Sequence, residues 1–243
     1  MDTISSKGTI TQLCNQAITA YNQGGAETCA SVLLHHMLNR KVRFPLLEHA
    51  ARLLTADIPA PGILQVIQCV TAAHTIGGNV LAGIVLQERL PIAPAECFAL
   101  AETFIIAGNE WYVCDIIGER VFGHALLTRP SLTLPVLQSL ATHPDEWMVR
   151  VIGVAGHYAV KKGLDKAAVA TLFQLLLSLA TATGFHTKKG IGWAAKTTAK
   201  FHPAIIAGHR EQIADPQQVH QWFRTKIEIG LSRTYKYAQR YNS

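Results

Sequence analysis

The sequence predicts an all-α fold, an α-α superhelix of stacked helix-pair repeats, and three observations carry that prediction. Apolar residues recur at three- and four-residue spacing along almost the whole chain, while Gly, Pro, Asn and Asp interrupt them every dozen or so residues. A short phrase recurs as Asp115-Ile116-Ile117-Gly118, Arg150-Val151-Ile152-Gly153 and Lys189-Gly190-Ile191-Gly192, with a fainter copy at Val80-Leu81-Ala82-Gly83. The closing glycines are spaced 35, 35 and 39 residues apart, which is the period of stacked helix pairs rather than of one globular core.

Helices are expected at 9–22, 26–40, 44–55, 61–75, 79–90, 94–107, 110–127, 131–141, 145–161, 165–181, 187–200, 203–213 and 217–229. Gly24-Gly25 reads as a turn between the first two. The later breaks fall at Asp57 to Pro61, Gly77-Gly78, Pro91 to Pro94, Arg129-Pro130, His143-Pro144, Gly163, Gly184, Pro203 and Pro216, where proline or glycine stops or starts a helix. Thr142 or Pro144-Asp145, and Asp215-Pro216, have the form of a capping residue ahead of a helix. Within the repeated phrase the glycine permits close helix approach, and the Ile and Val residues pack inward. Residues after 230, with Tyr235, Tyr237, Tyr241 and basic groups, form either a cap on the last repeat or a tail that touches phosphate. One repeat domain spans 1–243, with capping repeats to about 75, the charged repeats from about 76 to 230 and the basic tail at 231–243.

With 243 residues, 49% of them apolar, the chain can bury a substantial core. Cys14, Cys29, Cys69, Cys97 and Cys114 are odd in number, lie singly in apolar stretches and form no Cys-x-x-Cys pair, so they read as buried thiols of a reducing compartment. No leader pattern opens the chain and no run of about 18 apolar residues follows, which points to a soluble cytoplasmic protein, nucleoid-associated if bacterial, with no membrane partner. Charge is unevenly placed. Residues 1–142 carry 8 Lys+Arg against 10 Asp+Glu, and residues 143–243 carry 14 against 6. The clusters Lys161-Lys162, Lys188-Lys189, Lys196 and Lys200, then Arg224, Lys226, Arg233, Lys236 and Arg240, favour a polyanion such as nucleic acid as partner, with a monomer as the default state.

Equivalent positions of stacked repeats line up, so the first residue of each phrase runs as a stripe of carboxylate, guanidinium and ammonium. Helical spacing sets Trp111 beside Asp115, Trp147 beside Arg150 and Lys189 beside Trp193. Each tryptophan taken singly reads as a core or half-core residue. Asp115 lies mid-helix among apolar neighbours that disfavour its charge; it either pairs with Arg150 one repeat on or serves a ligand. A carboxylate between indole faces on a basic wall suits a cationic group carried on a polyanion, which describes an alkylated purine nucleotide in DNA. The eleven histidines lack metal-ligand spacing and read as surface or capping residues; no metal and no cofactor is expected. Gly24-Gly25 and Gly77-Gly78 lack the context of phosphate loops, and Cys114 has no nearby base to make it a nucleophile.

Trp111-x-x-x-Asp115, then Trp147-x-x-Arg150, then Lys189-Gly190-Ile191-Gly192-Trp193-Ala194-Ala195-Lys196 and His202-Pro203 together resemble the AlkD-like DNA alkylation repair family of HEAT-like repeat DNA glycosylases. The resemblance covers residues 79 to 213 in order and spacing. It implies HEAT-like repeats and metal-independent hydrolysis of the N-glycosidic bond of N3- and N7-alkylated purines in double-stranded DNA. By the same resemblance Asp115 is the catalytic carboxylate, Trp111 and Trp193 cradle the damaged nucleotide, and Arg150 lies near the phosphates. Trp147, Lys188, Lys189, Lys196 and Lys200 complete the expected DNA contact. Two positions depart from the family pattern: Tyr112 stands where a second tryptophan is common, and Lys196 where arginine is common, which exchanges a forked phosphate contact for a point charge. The rival readings are a non-catalytic solenoid that binds distorted or branched DNA, and a peptide-binding scaffold.

Overall fold

A computed structural model describes the backbone of residues 3–241 and the side chains of residues 3–234. The side chains of Tyr235, Lys236, Tyr237, Arg240 and Tyr241 lie outside the described residues. The chain divides into two compact units, Met1–Val121 and Phe122–Ser243, and both are built of helix pairs, as the repeat period predicts.

The first unit holds α1 (Lys7–Leu33), α2 (Phe44–Asp57), α3 (Ala60–Ala72), α4 (Ile76–Arg89), α5 (Pro94–Gly108) and α6 (Trp111–Gly118). Gly25, at φ 76°, interrupts α1 where the Gly24-Gly25 turn is expected, since only glycine takes that conformation without strain. The break expected at Gly77-Gly78 falls slightly earlier. His74 sits at φ 52°, and the Thr75 hydroxyl caps α4 by accepting from the Gly78 N–H at 3.0 Å. A parallel pair of two-residue strands, β1 (Thr3–Ile4) and β2 (Lys41–Val42), was invisible in the sequence because two residues cannot show an alternating pattern.

Helices α2, α4 and α6 pack in succession, with α3 and α5 lying against them. The faint phrase copy at Gly83 has a concrete function here. A Cβ at Gly83 would meet the Arg120 side chain, whose stem crosses α4 and whose guanidinium pairs with Glu48 of α2 at 2.8 Å. Cys14, Cys29, Cys97 and Cys114 are buried as expected, whereas Cys69 is half-buried; all five are free thiols. Burial pushes the Cys14 thiol up to about 12 and those of Cys29 and Cys97 up to about 11, which keeps them protonated and unreactive.

The second unit holds α7 (His124–Thr128), α8 (Pro130–Ser139), α9 (Glu146–Lys161), α10 (Lys166–Ser178), α11 (Phe185–Phe201), α12 (Pro203–Gly208), α13 (Arg210–Ala214) and α14 (Gln221–Tyr241). The helix expected over 110–127 is interrupted by a π-helical turn at Glu119–Gly123, and the one over 203–213 divides at His209. The final helix starts at Gln221 and not at 217. Asp215 spends its carboxylate on the turn itself, accepting from the Gln217 N–H and the Gln218 side chain, each at 2.8 Å.

Helices α9, α11 and α14 stack in order, and glycines set their spacing. A Cβ on Gly153 of α9 would strike the Gly190 carbonyl of α11, one on Gly192 would meet the Lys226 side chain of α14, and one on Gly230 would strike the Lys196 carbonyl. Close approach at the repeated glycines is therefore real, although Gly153 faces Gly190 and not its phrase equivalent Gly192. Phe122, Phe173 and Phe223 are fully buried in this unit. Among the described residues no helix is long and apolar enough to cross a membrane.

Candidate nucleic-acid interface

The candidate residues fall on the successively packed helices of the two units: α6 in the first, α9, α11 and α14 in the second. In the first unit, Asn109 ends α5 in the left-handed conformation at φ 45°, and α6 begins two residues later at Trp111. The buried face of α6 is Val113, Cys114 and Ile117. Trp111 is 58% exposed, more open than the core or half-core place expected of it taken singly, and Asp115 lies one turn further along, half-buried. The Tyr112 ring stands edge-on to the Trp111 indole at 6.0 Å, so the tyrosine that departs from the family pattern braces the tryptophan beside it.

In the second unit the Asp145 carboxylate caps α9, accepting from the Trp147 N–H at 2.8 Å, as Pro144-Asp145 predicts. Trp147 is only 8% exposed and carries the His186 ring over it at 3.9 Å. Glu146 accepts from the His186 N–H at 3.1 Å, which fastens the start of α11 to the start of α9. Arg150 is only 7% exposed, and its backbone and side-chain stem lie against Gly190. Trp147 fits the core reading, and both it and Arg150 can present only an edge to a ligand.

Helix α11 carries the exposed chemistry. Phe185, Lys189 and Trp193 follow at four-residue intervals and therefore share one face, continued by Lys196 and Lys200. Phe185 is 62% exposed, with the Lys189 ammonium 5.2 Å from its ring centre. Lys189 is exposed, Lys188, Lys196 and Lys200 are half-buried, and the Lys200 ammonium lies 4.7 Å from the Phe201 ring. Trp193 is half-buried, and the His157 imidazole stacks on it with centroids 3.8 Å apart and planes 20° from parallel. Burial, then the positive charges of Arg233 and Lys226 on α14, lower the Lys196 pKa on α11. A phosphate between them would relieve that repulsion.

The sequence reading missed Phe185, although its four-residue spacing from Lys189 and Trp193 was a usable signal. It also misjudged two histidines as surface or capping residues: His157 and His186 lie over tryptophans. Nothing in the sequence marks those pairs, because His157 meets a helix about 40 residues away. His143 lies in the turn ahead of α9, where its Nδ1 accepts from the Asp145 N–H at 3.0 Å. Among the described residues no three His, Cys, Asp or Glu side chains converge as a metal-ligand set.

Stacked helix pairs with aromatic and basic side chains on one helix of successive pairs define the class: a basic, all-α helical-repeat protein. Residues 19–209 match the family described as DNA alkylation repair enzyme. The chain belongs to that family, which gives it a role in DNA repair, and the match reaches well into the N-terminal part where the motif resemblance is faint. Neither the curated proteins nor the solved structures offer a match to it.

Proposed function

We propose that the protein is a monofunctional, metal-independent DNA N-glycosylase that removes N3- and N7-alkylated purines from double-stranded DNA. Such a base already bears a positive charge and departs as a neutral alkylpurine when the C1′–N bond breaks, so the enzyme has no leaving group to protonate. What remains is to stabilise the sugar cation and deliver water to C1′, which releases one proton. A carboxylate does both, through charge opposite the oxocarbenium and a hydrogen bond to the attacking water. Asp115 fills that role with Trp111 beside it offering an indole face to the cationic nucleotide, and on α11 Trp193 is a further indole face of the kind that attracts a cation.

The observation that carries this reading is on α6, where the Asp115 carboxylate lies one helical turn from a 58%-exposed indole in a chain of the alkylation repair family. Lys188, Lys189, Lys196 and Lys200, joined by Lys226 and Arg233, grip phosphates. Arg150 and Trp147 reach the ligand only at their edges. The cations of α11 and α14 suit duplex binding whether or not a bond is cut, so the second reading is a DNA-binding protein without glycosylase action. Incubating the protein with methylated duplex DNA in chelator and assaying free bases decides between them. Released 7-methylguanine or 3-methyladenine supports the glycosylase; salt-dependent binding without release leaves the second reading.

A further inference from the structure

An indole has two faces, and one face of Trp193 is already occupied. His157 of α9 lies flat against it, 3.8 Å between centroids, and the imidazole Nδ1 is 2.7 Å from the Thr197 hydroxyl. That hydroxyl has a single hydrogen and also lies 2.9 Å from the Trp193 carbonyl. With that hydrogen on the carbonyl the hydroxyl oxygen accepts from Nδ1; with it on Nδ1 the imidazole carries its proton on Nε2, and in both arrangements the ring is neutral. Thr197 thus ties both members of the stack together: the histidine through its side chain, the tryptophan through its backbone.

Resting on the glycosylase reading above, we infer that His157 is a positioning residue for Trp193, a neutral ring that backs one indole face and leaves the opposite face electron-rich for a cationic nucleotide. The charge state is what matters. The face of an indole attracts cations through its quadrupole. An imidazolium stacked on it would take up that attraction and set a second positive charge one ring's thickness from the incoming alkylated base. Burial first, then Lys161 of the same helix and Lys196 of α11, hold the His157 pKa down at about 4. The basic groups that suit a polyanion thereby also keep the histidine neutral.

The test compares His157→Phe, which keeps a neutral flat ring, with His157→Ala, which removes the backing, and His157→Lys, which installs a cation. Three measurements are made on each variant and on the unaltered protein: single-turnover release of 7-methylguanine from methylated duplex, affinity for the duplex, and the preference for 7-methylguanosine over guanosine read by tryptophan fluorescence below neutral pH. The Phe variant is expected within about threefold of the unaltered protein in every measure. The Ala and Lys variants lose about tenfold or more in base release, the Lys variant binds duplex at least as tightly as before, and it loses the preference for the cationic nucleoside. Base release that survives in the Ala variant, a Lys variant that matches the Phe variant, or parallel loss of release and binding in all three overturns the inference. An unaltered protein that prefers the cationic nucleoside but frees no base refutes the glycosylase reading alone; one with no such preference refutes the role of His157.

Discussion

Gly153 of α9 and Gly190 of α11 face each other where the two helices cross, with so little room that a methyl group on Gly153 would fall on the Gly190 carbonyl and the Ile191 nitrogen. Both obstacles are backbone, which cannot rotate away as a side chain can. Gly153→Ala is therefore expected to cost about 2–3 kcal/mol and to lower Tm by on the order of 5–10 °C in a thermal melt. Gly208→Ala, which meets nothing within 4 Å, is the control and should leave Tm nearly unchanged.

Asp115 sits half-buried one turn from Trp111. Replacing Asp115 by Asn removes the negative charge and keeps the shape, so duplex binding should persist while excision of 7-methylguanine falls by at least about tenfold, the loss of one electrostatic stabiliser. Single-turnover release measured beside a binding titration separates the two effects. Unchanged excision would falsify the catalytic role.

Lys226 and Arg233 act on Lys196, and a phosphate held among them would release counterions. Lys226→Ala and Arg233→Ala should each weaken duplex binding about equally across sequences and reduce the slope of log affinity against log salt by roughly 1. A slope equal to that of the unaltered protein would show that these cations touch no phosphate.

His157 is protonated at about pH 4 when folded, against an ordinary value of 6.5. As pH falls, the unfolded chain takes up the proton first. The stability tied to this group is therefore present in full above about 6.5 and is lost as pH drops toward 4. After allowance for solvent at the partly exposed ring the loss is about 1–2 kcal/mol. Denaturant midpoints at pH 7 and pH 4.5 should show a smaller acid-side fall for His157→Phe than for the unaltered protein.

The Asp145 carboxylate caps α9 at the Trp147 N–H. Asp145→Ala should cost about 1 kcal/mol in denaturant unfolding, and Asp145→Asn, which still accepts that hydrogen bond, should recover most of it.

Much of the helical arrangement was legible because each signal was local. The breaks at Gly25, Gly163 and Pro130 follow from what single residues permit: Gly163, for instance, takes φ 98° between α9 and α10. The cap at Asp145 and the basic run of α11 were read the same way. Exposure was less legible. Trp111 and Trp147 occupy similar places ahead of their phrases, yet one indole is open to solvent and the other lies beneath His186.

The amino-acid sequence by itself determined that the chain is helical, that its pairs repeat at about 35 residues, and that its cations gather in the second half, because periodicity, turn residues and charge belong to neighbours along the chain. Only the tertiary structure decided which glycine meets which backbone, that His157 stacks on Trp193 while Thr197 holds both, and that the charges of Lys226 and Arg233 act on Lys196. Those relationships join residues 30 to 40 positions apart on different helices. They depend on how one helix lies across the next, which no local pattern encodes.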